Sequence, residues 1–361
     1  LAHTAEVISV QSTDDLIQNK PFNETFSHAL DNEMLSLNID IAVHSLKDVP
    51  FLLTKGIVQA AAINRGNFKD VLVFKNNEEF LGSKNAVIAS NTSSLSIASI
   101  ASSCDYSSRV VGLHFFNPAP LLPLVEVVPS LLTDSAVVEE MVSLMKSWVK
   151  IPVLAKDTPG FIVNRVARPF YGESLRIYEE GVADFATIDW ALKTFGGFRM
   201  GPFELMDLIG NDINYTVTET VFKEFYNDAR YKPSFTQKRM VEAKLFGRKS
   251  EKGYFSYAFD AENPSPNKDE ALGMKIFERV WAMLANEAAD ALFWNIATKE
   301  DIDLAMTKGV NYPKGLLAWV DELGAAKAAE IIESLREKYS EDRYRVSPIL
   351  KEKAIKGEKF F

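Results

Sequence analysis

The sequence predicts an α/β N-terminal part followed by a mostly α-helical, internally duplicated C-terminal region. Three observations predict it. Short β-branched runs, the mark of buried strands, recur up to Asp157. Beyond Asp157 the apolar positions keep a helical period. In that second half residues also recur at one fixed offset: Asp189, Gly201, Asp207 and Gly210 match Asp303, Gly315, Asp321 and Gly324.

Residues 1–85 read as α/β. Strands are expected over 5–10, 39–43, 57–63 and 71–74, and Phe26, Leu30, Met34 and Leu37 lie at helical spacing. A polar bridge, 75–85, closes this part. Residues 86–157 form a second α/β stretch, with strands over 86–89, 110–115, 124–128 and 151–154 and a helix over 137–149. The edge of that partial sheet must be covered by strands from 1–85, giving a hybrid sheet, or it invites aggregation. Asp157 or Thr158 is a good N-cap for the helix that follows, with Pro159 in its first turn. Pro169 removes a backbone donor within that helix and predicts a kink. The two helical copies, 158–260 and 268–361, carry "GPFELMDLIG" and "KGLLAWVDELG", and later Arg230-Tyr231 and Arg343-Tyr344. A Pro/Asn-rich linker, 262–268, separates them.

The chain has 361 residues, 47% hydrophobic and 25% charged, which is ordinary for soluble globular protein of two or three domains. A formal charge of −9 argues against nucleic acid as a partner. The single cysteine, Cys104, excludes an internal disulfide or a cysteine-based zinc site and fits a reducing, cytoplasmic compartment. No apolar run approaches the roughly 18 residues of a membrane span, and neither a signal peptide nor a metal cluster is visible. The first residue is Leu1, so a true N-terminus is expected upstream.

Four histidines occur: His3, His28, His44 and His114. His114 ends the strand "RVVGLHF", before the turn Asn117-Pro118, and Glu126 lies in the next strand. Neighbouring strands can set a carboxylate against an imidazole, fixing its tautomer and favouring its cation, as a general base for an alcohol requires. Alone, such a pair is more often a surface contact. The hydroxyl-rich "SNTSS" lies just after a strand, where open α/β sheets bind ligands. The helix opening in "DTPGFIVNRV" favours partial negative charge near Asn164, whose amide can reach a carbonyl.

"ASNTSSLSIASIA", "VGLHFFNPAPLLPLVEVV", "KDTPGFIVNRVARPFYGESLRIYEEG" and "GPFELMDLIG" occur in the order found in the 3-hydroxyacyl-CoA dehydrogenases, and residues 85–361 resemble that family, its 3-hydroxybutyryl-CoA members included. The resemblance implies an NAD-dependent oxidoreductase of fatty-acid metabolism that turns a 3-hydroxyacyl-CoA into a 3-ketoacyl-CoA. It implies that residues 86–157 are the C-terminal half of a Rossmann-type sheet. It assigns His114 as base and Glu126 as its orienting carboxylate. Ser93 and Asn164 hold the substrate oxygens, and Asn117 lies near the nicotinamide. A homodimer formed through the helical part is also implied.

The family's G-x-G-x-x-G, which lets the backbone approach the pyrophosphate, is missing; no G-x-G occurs in the chain. Before residue 85, "NIDIAVHSLKDVP" and "KGIVQAAAINRGNFKDVLVF" resemble the first domain of porphobilinogen deaminase (hydroxymethylbilane synthase). That resemblance implies a deaminase-like α/β fragment in which Asp48 assists proton transfer and Ser45 and Lys47 contact cofactor carboxylates. Together the two predict a chimera joined near residues 80–92, without an intact pyrophosphate site. The alternatives are an inactive fusion or dimerising helical module, and a hydroxymethylbilane synthase fragment.

Overall fold

A computed structural model describes residues 87–93 and 95–361. The chain divides after Lys84, and Asn85–Phe361 form one unit. The elements expected in 1–85, the hybrid sheet they would build, and Ser45, Lys47 and Asp48 lie outside the described residues.

Four strands form one mixed sheet in the order β1-β2-β3-β4: β1 (Ile88–Ser90), β2 (Val110–Phe115), β3 (Leu124–Pro129) and β4 (Ile151–Leu154). β1 runs parallel to β2 and β3 to β4, whereas β2 and β3 are antiparallel. Helix α1 (Ile97–Ala101) follows β1, and α2 (Ser135–Ser147) joins β3 to β4. The periodicity placed α2 two residues late. Asp134 accepts from the Ala136 amide and starts it, and Val149, at φ 58, lies beyond its end. The sheet buries both faces. Val111, Leu113, Val125 and Val127 meet Met141 and Met145 of α2. Val110, Leu124 and Val128 join Ile97 and the helical core. Gly112 is required where α1 crosses β2: a Cβ there would sit 2.9 Å from both Ile97 Cδ1 and Val128 Cβ.

The expected helix from Asp157 does not start there. α3 (Val163–Val166) begins six residues later, after a turn in which Gly160 (φ 74) and Phe161 (φ 47) are left-handed. Asp157 instead caps α1: its carboxylate accepts from the amides of Ile97 (3.0 Å) and Ala98 (2.8 Å) and from Ser96 Oγ (3.1 Å). At Pro169, where a kink was expected, the helix is interrupted instead: α3 ends, Ala167 intervenes, and α4 (Arg168–Glu179) starts with the proline in its first turn, where its missing N–H costs no helical hydrogen bond.

α5 (Phe185–Gly196), α6 (Pro202–Ile209), α7 (Asn211–Glu224) and α8 (Phe235–Glu242) complete the first helical stretch. The second contains α9 (Glu270–Phe293), α10 (Lys299–Gly309), α11 (Leu316–Leu323), α12 (Ala325–Tyr339) and α13 (Pro348–Lys356). α9 is buried along most of its length and packs on α4 and α5. Asp189 caps α6 through the Phe203 and Glu204 amides, and Asp303 caps α11 through those of Leu317 and Ala318. A Cβ on Gly201 or Gly315 would collide with the respective carboxylate, at 2.2 and 2.3 Å.

Candidate active site

The β2–β3 register sets His114 directly opposite Glu126. Both are buried, and Nδ1 lies 2.6 Å from Glu126 Oε2. A buried carboxylate accepts, so Nδ1 carries the proton and the Nε2 lone pair faces outward. Nε2 lies 3.0 Å from Ser93 Oγ, in the loop after β1. That loop is fixed from two sides: Asn91 Oδ1 accepts from the Phe115 amide at 2.9 Å, and Asp157 holds the start of α1 just beyond it.

Glu126 has a second attachment. Its Oε1 accepts from the amides of Ile162 (3.0 Å) and Val163 (2.9 Å), the start of α3. The catalytic-type carboxylate is thus also the cap of the next helix. Two carboxylates tie the sheet to the helical part: Glu126 grips α3 and Asp157 grips α1. Phe116 and Phe161 present ring edges to the imidazole at centroid distances of 4.6 and 5.8 Å, keeping water from its faces. Asn164, half-buried, is the next residue after the two amides, on the same turn. Asn117 is exposed at the end of β2, before a cis bond to Pro118.

Ser93, His114 and Glu126 therefore form one hydrogen-bonded line, Asn164 stands beside its carboxylate end, and Asn117 lies three residues past the imidazole. The sequence reading missed the Ile162 and Val163 amides, Asp157 as a cap for α1, and the aromatic edges of Phe116 and Phe161. The "DTPGF" run signalled a capping aspartate, but not which helix it caps.

Behind α3, Arg165 is buried against α9, donating from Nε to Glu287 Oε1 (2.7 Å) and from Nη2 to Asp290 Oδ2 (2.9 Å). Burial alone would lower the pKa of Arg165, but Glu287, Tyr231 and Asp290 outweigh it and raise it above the ordinary value.

A family model for the 3-hydroxyacyl-CoA dehydrogenase C-terminal domain matches residues 160–257 and 276–359, and one for the NAD binding domain of these enzymes matches 36–158. This chain belongs to the 3-hydroxyacyl-CoA dehydrogenase family. The chain is 36% identical to 3-hydroxyadipyl-CoA dehydrogenase of Escherichia coli (strain K12) over 74% of each chain. It is 40% identical to the mitochondrial hydroxyacyl-coenzyme A dehydrogenase of Sus scrofa over 51% of this chain and 59% of that protein. Among solved structures, 3-hydroxybutyryl-CoA dehydrogenase from Escherichia coli K12 aligns with a TM-score of 0.71 at 34% identity, covering 76% of each chain. The members of this family are NAD-dependent oxidoreductases, and a Rossmann-like NAD-binding domain precedes a helical C-terminal one. The NAD-binding match begins at residue 36, well ahead of the boundary the motifs set at 85, and takes in "HSLKDVP".

The described residues fit the reacting end of NAD: polar side chains at the carboxyl ends of the parallel strands β1 and β2, beside a buried base. Among the described residues no group of three or more His, Cys, Asp or Glu could hold a metal, and no helix is long and apolar enough to cross a membrane.

Proposed function

We propose that this chain oxidises 3-hydroxyacyl-CoA thioesters to 3-ketoacyl-CoA. The observation that carries the reading is the line Ser93–His114–Glu126, closed at its far end by the α3 amides. Glu126 keeps the Nδ1 proton in place, so Nε2 is the free base. It takes the proton of the 3-hydroxyl, and Glu126 stabilises the resulting imidazolium. Ser93 Oγ and the Asn164 amide hold the substrate oxygens, and Asn117 contacts the nicotinamide side. NAD, when bound, supplies the hydride acceptor.

The test is NADH oxidation with acetoacetyl-CoA by the purified chain. His114→Ala should lower kcat by about 10²–10⁴-fold, the usual contribution of a positioned base. Turnover that survives this substitution in a folded protein would place the base elsewhere. NADH should also raise the melting temperature, since a ligand binding only the folded state stabilises it.

The finer parts of the reading have separate supports. A duplicated helical region is supported by the C-terminal model matching two stretches and by the paired caps at Asp189 and Asp303. A deaminase-like fragment in 1–85, with Ser45, Lys47 and Asp48, rests on its motif, and the NAD-binding match from residue 36 weighs against it. Intact-mass measurement without a covalently bound cofactor would remove it. A homodimer and a cytoplasmic location remain proposals, the first checked by light scattering.

A further inference from the structure

The loop from β2 to β3, residues 116–123, carries two groups of the site: Phe116, whose ring edge meets the imidazole, and Asn117. The loop has few bonds of its own. Pro118, Pro120 and Pro123 have no backbone N–H to donate. The amides of Leu121 and Leu122 both donate to one acceptor, Pro118 O, each at 3.0 Å. That leaves the carbonyls of Ala119 and Leu122 to a donor from outside the loop.

Lys150 is that donor. Its Nζ donates to Ala119 O and to Leu122 O, the latter at 2.9 Å. The side chain is half-buried, and among the described residues its ammonium meets these main-chain oxygens and no carboxylate within 4.0 Å. Its own backbone is fixed on both sides. The Lys150 amide donates to Met145 O of α2 at 2.9 Å; the next residue, Ile151, donates to Pro123 O at 2.7 Å and pairs with Leu124. Val149, just before it, is left-handed at φ 58, a conformation that β-branched residues rarely adopt. The turn out of α2 takes this costly backbone at the residue that precedes the anchor.

Asn117 is therefore held from two directions. β2 holds it through Phe115, which pairs with Val125, and the anchored turn holds it from Ala119 onward. We propose that Lys150 is a positioning residue for hydride transfer, setting the loop so that Asn117 and Phe116 keep their places beside His114. This rests on the dehydrogenase reading and on the nicotinamide side it gives Asn117. Lys150 reaches the reaction only through the loop.

The experiment compares the full parent chain with Lys150→Met, which keeps the length and loses the donors, and Lys150→Arg, which keeps donors for two carbonyls. Two quantities are read per folded molecule: the Kd for NADH by fluorescence titration, and kcat and KM with acetoacetyl-CoA. Lys150→Met should weaken NADH binding and lower kcat, together by about tenfold to a hundredfold, the cost of displacing a positioned group by about 1 Å. The KM for acetoacetyl-CoA should hold, because Ser93 and Asn164 lie on other segments, and Lys150→Arg should recover much of the loss. In an Asn117→Ala background Lys150→Met should cost little more, since the group it places is gone. A folded Lys150→Met with the parent's NADH affinity and kcat overturns the inference, as does an equal cost in both backgrounds. Lys150→Gln, which keeps a shorter donor, should fall between the parent and Lys150→Met, and it decides by the same measures where the methionine variant does not fold. A parent that binds NADH but turns nothing over loses the dehydrogenase reading, and the NADH affinities then decide the role of Lys150. A parent that turns over, with every Lys150 variant its equal, keeps the dehydrogenase and loses the anchor.

Discussion

Glu287 on α9 receives Arg165 Nε at 2.7 Å and the Tyr231 hydroxyl at 2.6 Å, both from the first helical stretch. Glu173 on α4 receives Arg279 Nε at 2.7 Å and the Tyr344 hydroxyl at 2.8 Å, both from the second. The two stretches hold one another by the same device used twice. They differ three residues further along each helix, where Asp290 in one stands against Arg176 in the other. Asp290 draws in Arg165 and Arg230, the latter at 2.8 Å, and the cluster closes with its charges balanced. The Arg176 cation offers Arg343 nothing, and Arg343 turns to Glu341 at 2.8 Å. Arg279 completes its bonds with Glu180, which is partly exposed. The sealed cluster is the one attached to α3, whose amides hold Glu126; the open one lies away from the base.

The largest expected effect separates these clusters. Glu287→Gln leaves Arg165 and Arg230 buried with one carboxylate between them, which should cost about 3–5 kcal/mol. Glu173→Gln should cost less than half of that, because Arg279 keeps Glu180. Urea unfolding measures both, and equal losses would break the comparison. Next in size is the pair Asp207 and Asp321. Asp207 accepts from the Tyr254 and Phe255 amides, from Tyr257 and from Asn211, whereas among the described residues Asp321 accepts only from the Phe360 and Phe361 amides. Asp207→Ala should therefore cost about 2–3 kcal/mol and Asp321→Ala about 1, in proportion to the groups left unpaired. A larger loss from Asp321→Ala would mean that the C-terminal residues anchor more of the fold than their contacts suggest.

What was legible in the sequence was local or strictly periodic. The β-branched run of 110–115 and the run of 151–154 became strands at those limits. The His114–Glu126 pair could be read because adjacent strands fold a short span back on itself. Asp189 and Asp303, matched at one fixed offset in the sequence, each cap a helix that begins the same distance later. What failed was capping over long range. Asp157 has the right residue type for the helix that follows it, yet its carboxylate serves α1, about sixty positions earlier. The α3 start is capped by Glu126, from a strand read only for its imidazole contact. A capping rule counts residues along the chain, while a carboxylate serves whichever amides the fold brings to it. Arg168 was hidden for a related reason. Its place in "NRVARPF" shows a cation but not that, among the described residues, five other buried arginines face carboxylates and it faces none.

The smallest effect tests whether the matched caps are electrostatically alike. Burial pushes the Asp189 carboxyl up to about 7, against the smaller opposing pull of the Phe203 and Glu204 amides. Asp303 moves the same way for the same reason. The unfolded value is about 3.9. A folded pKa above the unfolded one means that the native state binds the proton more tightly. The contribution to stability is thus fully present below about pH 4 and is lost as pH rises through about 7. Asp189→Asn removes that dependence. Relative to the parent, the variant should gain melting temperature between pH 5 and pH 8, whatever its offset from losing one amide bond. Asp303→Asn should gain in the same direction. A difference from the parent that stays constant across this range would mean that the two amides keep Asp189 ionised throughout, and that backbone dipoles rather than burial set its charge.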